Sequence, residues 1–167
     1  MKFCITGLPR SRTAWFAAYF TATGNKCAHE PFAKCETEQD IENVKRKYVG
    51  ISDSFMLFVP YSGKRVVIIR DEKAVKQSLF KGFGMDLDVS DRLISQASDI
   101  LKYTEGLRVE FDDINDRLQE IHEYCVDTPY DEDIGNMFKN LNIQVNKLEF
   151  TEQFKELIGG VLCQHGQ

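Results

Sequence analysis

Residues 2–20 constrain the fold more than any other stretch. Phe3-Cys4-Ile5 is a short apolar run whose length and flanking turn residues favour a buried strand over a helix. Gly7 and Pro9 break the run, Ser11 offers a helix N-cap, and Thr13 to Phe20 is apolar and built of good or neutral helix formers. Strand, tight loop and buried helix in so short a span make a phosphate-binding arrangement. Free backbone N–H groups and the positive end of the helix dipole meet at the loop.

The rest of the chain continues the alternation. Gly24-Asn25 predicts a helix end and turn, Lys26 to His29 a second strand stopped before Pro31, and Thr37 with Glu38 and Asp40 the start of a helix burying Ile41, Val44 and Tyr48. Val49 to Ser52 reads as a third strand. Phe55 to Val59 is open between strand and buried helix, and Pro60 to Gly63 is a turn. Val66-Val67-Ile68-Ile69 reads as a buried parallel strand, followed by a helix from Asp71 to about Lys81 that closes near Gly82 or Gly84. Ser90 caps a helix carrying Leu93, Ala97, Ile100 and Leu101 on one face, and Leu107 to Phe111 alternates as a strand. Ile114, Leu118, Ile121 and Cys125 share a further helix, the pattern loosens beyond Asp127, and Thr151 to Leu162 reads as a terminal helix. Strands alternating with helices predict one domain over 1–167, a three-layer α/β/α fold around a mainly parallel central sheet.

A chain of 167 residues is large enough for a proper core. The net charge of −5 argues against a general nucleic-acid binder, so any anion site must be built locally. No apolar run approaches the roughly 18–20 residues that span a membrane, and no basic region followed by a hydrophobic stretch marks a signal peptide. The five cysteines lack metal-type spacing, so free thiols in a reducing compartment, hence a cytoplasmic protein without a metal site, are the simplest expectation.

Laid on Gly-x-x-x-x-Gly-Lys-[Ser/Thr] from Gly7, the loop has Arg12 for the second glycine, Thr13 for the lysine and Ala14 for the magnesium-binding hydroxyl. It instead resembles the 5′-phosphosulfate loop of the sulfotransferases, Pro-[Lys/Arg]-Ser-Gly-Thr-[Thr/Ser]-Trp/Leu, here Pro9-Arg10-Ser11-Arg12-Thr13-Ala14-Trp15. Two positions depart from that form: Arg12 stands for a glycine and Ala14 for a hydroxyl. A second stretch, Arg70 at the end of an apolar strand with Ser78 in the next helix, resembles the family's 3′-phosphate motif. A fixed guanidinium with a hydroxyl beside it can grip a phosphate through charge-assisted hydrogen bonds. Leu107 to Ile114 resembles a late strand of the same family. The likeness covers roughly residues 2–126 and is patchy between 32 and 64; the Arg-Lys-Gly loop that often closes the adenosine end has no counterpart.

The resemblance implies a P-loop NTPase-like fold and transfer of a sulfuryl group from 3′-phosphoadenosine-5′-phosphosulfate (PAPS) to a hydroxyl or amine on a small-molecule acceptor, without a metal. It implies that Arg10 neutralises charge on the phosphosulfate. Ser11 and Thr13, within the Pro9–Trp15 loop, would hold its oxygens, and Arg70 and Ser78 would hold the 3′-phosphate. Trp15 stands where many members place an aromatic ring against adenine; a core tryptophan is the alternative. His29-Glu30-Pro31 resembles the version in which a glutamate is the general base, making Glu30 the first candidate and His29 the second. Asp53 is a candidate for the acceptor pocket, His122 reads as structural, and Asp131-Glu132-Asp133 as a solvated loop. Two other readings stay open: a catalytically silent module of the same fold that binds nucleotide or anion, and a nucleotide kinase.

Overall fold

The computed structural model describes residues 1–84 and 87–143. The helix expected over 151–162 lies outside the described residues. Five strands, β1 (Phe3–Gly7), β2 (Cys27–His29), β3 (Gly50–Ser52), β4 (Lys64–Ile69) and β5 (Leu107–Glu110), form one all-parallel sheet in the order β2-β3-β1-β4-β5. Between and after them run α1 (Thr13–Ala22), α2 (Glu38–Lys47), α3 (Glu72–Phe83), α4 (Leu87–Tyr103), α5 (Leu118–Cys125) and α6 (Glu132–Lys139).

Strand alternation sorts the core onto two faces, which gives the three layers. Phe3, Ile5, Cys27, Val66, Ile68 and Val109 point into one cluster with α1, α5 and the end of α6. On the other face, Val67 meets Leu8, Val75, Leu79, Ile94 and Leu101. Beside them Cys4, Ala28 and Ile51 meet Phe32 and Met56, with Ile41 and Val44 of α2 packed against them. Helix α1 is apolar around most of its circumference because it is buried around most of it, between the sheet and α6. No helix among the described residues is long and apolar enough to cross a membrane.

Local chemistry explains most boundaries. Thr37 and Asp40 form a capping box that starts α2, and Asp71 accepts from the Ala74 N–H at 2.9 Å to start α3, which Gly84 ends in the left-handed region at φ 61°. Several boundaries differ from the sequence reading: β5 ends at Glu110, Phe111 starts a short 3-10 turn, and α5 begins at Leu118, after Ile114. The N-cap of α1 is Arg12, in a left-handed conformation with no side-chain cap, whereas Ser11 is buried one residue earlier. The helix expected from Ser90 begins at Leu87. The ambiguous Phe55 region is a short 3-10 turn, Ser54–Leu57, capped by Asp53. The acidic run at 131–133 is not a loop: Asp131 caps α6, and Glu132 and Asp133 occupy its first turn, where the helix dipole favours negative charge.

The register decides what meets at the sheet's carboxyl edge. Gly7 pairs with Ile68, Ile5 and His29 with Ser52, and Ile69 with Glu110. The residues that follow the ends of β1, β2, β3 and β4 therefore emerge together: the loop after Gly7, Glu30, Asp53-Ser54 and Arg70.

Candidate functional site

The loop between β1 and α1 is held in an unusual backbone form. Among the described residues three non-glycines have positive φ, and all three lie at this edge: Arg10 (69°), Arg12 (61°) and Glu30 (42°). Each such residue costs roughly 1–2 kcal/mol, and backbone strain of this kind clusters at functional sites. Close packing enforces the path. A Cβ on Gly7 would lie 2.6 Å from the Ile68 carbonyl oxygen, so the loop leaves β1 against β4 with no room for a side chain. Ser11 is wholly buried, and its Oγ has no hydrogen-bond partner.

Three guanidinium groups converge here. Arg70 Nη1 donates to the Arg10 carbonyl oxygen in a close contact, and the Arg70 guanidinium lies 4.0 Å from the Phe111 ring centre. Arg12 lies 5.2 Å from the same ring and 5.5 Å from Trp15, and its Nη1 donates to Asn115 Oδ1 at 2.8 Å. Arg10 Nε donates to Ser78 Oγ at 3.0 Å, with its guanidinium 5.2 Å from the Phe83 ring centre. Burial, and then the charges of Arg10 and Arg12, lower the Arg70 pKa against the opposing pull of Asp112; burial lowers that of Arg12. Among the described residues neither Arg12 nor Arg70 forms a salt bridge with a carboxylate. Cations gathered this closely in a chain of net charge −5 make a local field that an anion would relieve.

A carboxyl-imidazole cluster flanks the loop on the β2 side. Thr13 Oγ1 lies 3.2 Å from His29 Nε2 and donates to Glu30 Oε1 at 3.5 Å. The same Oε1 accepts from Ser54 Oγ at 3.4 Å and lies 3.8 Å from His29 Nε2. Burial pushes the Glu30 pKa up, against the bonds from Ser54 and Thr13 and the charge of Arg10; burial pushes His29 down. Both shifts favour the neutral forms and bring a carboxyl and an imidazole closer in proton affinity.

The structure thus brings Arg10, Thr13, His29, Glu30, Arg70 and Ser78 to one mouth, with the loop residues Pro9, Arg12 and Ala14 around them. It departs from the expected arrangement at three residues. Ser78 bonds Arg10 rather than Arg70, because α3 presents it toward the loop. Trp15 is 1 % exposed, stacks on Tyr19 and donates its indole N–H to the Phe138 carbonyl at 3.1 Å, so it is a core residue with no open face for a nucleobase. Asp53 does not line an open pocket: it is 2 % exposed, and its Oδ1 accepts from the Phe55 N–H at 2.8 Å. Burial and then the charge of Glu30 raise its pKa to about 7.

His122 is buried and bridges Tyr19 Oη at 3.0 Å and the Thr128 carbonyl at 2.9 Å, away from the mouth. Ser54, Phe111 and Asn115 were not singled out from the sequence. Ser54 follows a strand end and could have been flagged on that ground; Phe111 and Asn115 carry no local signal. Among the described residues no group of three or more His, Cys, Asp or Glu could hold a metal ion. Compared with known families and curated proteins, the chain matches no family model and no curated protein.

Proposed function

We propose that this chain is a sulfotransferase of P-loop-like fold that moves a sulfuryl group from PAPS to a small-molecule hydroxyl or amine. The observation that carries the reading is the meeting of two motifs sixty residues apart, through the bond from Arg70 to the Arg10 carbonyl. A second support is topological. The chain leaves β1 toward β2 on one side of the sheet, then crosses from β3 past β1 to β4 on the other. Ligands of open α/β sheets bind outside the strands' carboxyl ends at such a switch point.

PAPS would supply the sulfuryl group; the chain's own part is positioning and charge. Arg10 would face the phosphosulfate, with Thr13 and the loop N–H groups binding its oxygens. Arg70 would grip the 3′-phosphate, and Arg12, beside the same Phe111 ring, would add charge at that end. Ser78 would position Arg10. Glu30 would take the acceptor proton, tuned upward by burial and held in place by Ser54 and Thr13. The free thiols of Cys4, Cys27, Cys35 and Cys125 support a cytoplasmic setting.

A binding module without transfer activity is the second reading, favoured by Ser11: its hydroxyl is buried where the family loop presents one to the ligand. Thermal-shift titration separates the readings, since a ligand selective for the native state stabilises it. The transferase reading requires a larger shift with adenosine 3′,5′-bisphosphate than with ATP and magnesium. Preference for ATP would contradict it, and bisphosphate binding without transfer to any acceptor would favour the module.

A further inference from the structure

Glu30 stands at the N-cap of the 3-10 turn Pro31–Lys34, yet its side chain does not cap that turn. The carboxyl is swung the other way, where Oε1 accepts from Ser54 Oγ at 3.4 Å and from Thr13 Oγ1 at 3.5 Å. A residue in this position ordinarily turns a side-chain oxygen on the free N–H groups that follow it. Pro31 has no N–H, so Phe32 carries the first of those donors. Without another partner for it, Glu30 would be drawn back into its own turn and out of the mouth.

Asp53 stands where that partner is needed. It is the N-cap of the Ser54–Leu57 turn, and its Oδ1 accepts from the Phe55 N–H at 2.8 Å. Burial and then the Glu30 charge raise its proton affinity, and the N–H groups of Phe55 and Phe32 both pull it back. Donors from two turns therefore act on one carboxyl. The backbones of both residues are tied to the sheet, the Asp53 N–H donating to the Ile5 carbonyl at 2.9 Å and the Glu30 N–H to the Ser52 carbonyl at 3.1 Å.

We propose that Asp53 is a positioning residue for Glu30: it caps both turns, and so leaves the Glu30 carboxyl to face Thr13 and Ser54. The inference rests on the transferase reading for the use made of Glu30, and adds the residue that aims it. The backbone supports it. Glu30 keeps a left-handed φ of 42°, a conformation that persists only where the surroundings over-determine it, and a cap from the neighbouring strand end supplies such a constraint. Ser54, the next residue after Asp53, is held by a further tether, since Thr6 Oγ1 donates to its carbonyl at 3.3 Å.

The test compares two variants that remove the same charge and differ in reach. Asp53→Asn keeps an oxygen at the Oδ1 position and with it both caps. Serine caps its own turn about as well as aspartate, but its hydroxyl is one bond shorter, so Asp53→Ser leaves the Phe32 N–H unmet. Asp53→Thr has the reach of serine, fills more of the space and should behave as Asp53→Ser does. The other titratable or charged neighbours, Arg10 and His29 beside Glu30 and Cys4 and Cys35 beside Asp53, are the same in all of them.

The readout is the titration midpoint of Glu30, followed by NMR of carboxyl-labelled glutamate and assigned by the signal that Glu30→Gln removes. In wild type and Asp53→Asn the midpoint should lie above 4.5, because burial raises it. In Asp53→Ser it should fall to 4.5 or below, because a carboxylate turned back onto backbone N–H groups is stabilised in its charged form. Affinity for adenosine 3′,5′-bisphosphate should stay within about twofold of wild type in each variant, which also shows that each folds.

Equal Glu30 midpoints in Asp53→Asn and in the two short-reach variants overturn the proposal. A wild-type protein that gives no response to the bisphosphate overturns the transferase reading, and the base role of Glu30 with it, while the midpoints still decide the capping.

Discussion

Arg70 hands a guanidinium N–H to the main-chain carbonyl of Arg10, and so ties the end of β4 to the loop after β1. The contact places two cationic side chains on one side of the sheet, at one mouth. It also leaves the Arg10 side chain to reach α3, where Ser78 receives it.

Gly7 has no room to vary. Gly7→Ala places a Cβ 2.6 Å from a backbone oxygen of β4, and such overpacking costs about 1–3 kcal/mol. Chemical denaturation should register that loss, and bisphosphate affinity should fall with it because the loop is displaced.

Arg12 occupies a left-handed position that glycine adopts freely. Arg12→Gly loses the bond to Asn115, worth about 1 kcal/mol, and relieves strain of about 1–2 kcal/mol. Stability measured by denaturant should therefore stay within about 1 kcal/mol of wild type. Affinity for adenosine bisphosphate should drop several-fold, and its dependence on salt should weaken, since a cation has left the mouth.

Glu30 must be ionised to accept a proton, and burial raises its pKa above the ordinary 4.5. The acid limb of kcat/KM should therefore lie above that value, with activity rising as pH rises through it. Glu30→Gln should lower turnover by about 10²–10⁴ and remove that limb, with bisphosphate affinity close to wild type by calorimetry.

Asp53 gives a stability signature of known sign. Its pKa is about 7 in the fold against 3.8 ordinarily, so between those values the native chain holds a proton that the unfolded chain has released. Its contribution to stability is greatest below about pH 4 and declines as pH rises to about 7. Asparagine has no such proton to lose. Asp53→Asn should therefore gain Tm relative to wild type on going from pH 5 to pH 8, by about 3 °C or more in a thermal melt.

The fold was legible because its signals are local. Val66 to Ile69 reads as a buried strand because it is covered on both faces, and Thr37 with Asp40 starts a helix by capping alone. Arg10, Thr13, Glu30 and Arg70 were legible as positions because each follows a strand end or starts the element after it, His29 because it ends β2, and Ser78 by its spacing from Arg70. Their pairing was not. Whether Ser78 bonds Arg10 or Arg70 depends on how α3 rotates against the loop, which no spacing along the chain encodes.

Trp15 was ambiguous for a related reason. An apolar helix around a large ring fits a buried helix and a nucleobase platform equally, and only the approach of Phe138 from α6 decides it. That helix was itself missed, since its acidic start reads as solvated unless Asp131 is recognised as a cap. Phe111 looked like the last residue of a strand, yet its ring lies under two guanidiniums because the chain turns there.

The most direct test of the two-grip site is a calorimetric cycle. Adenosine 3′,5′-bisphosphate and adenosine 5′-monophosphate are each titrated into wild type and Arg70→Met. If Arg70 holds the 3′-phosphate, that phosphate should improve affinity about tenfold or more in wild type and make almost no difference in the variant, because a charge-assisted bond is worth about 1.5–3 kcal/mol. The same ratio of affinities in both proteins would contradict the assignment.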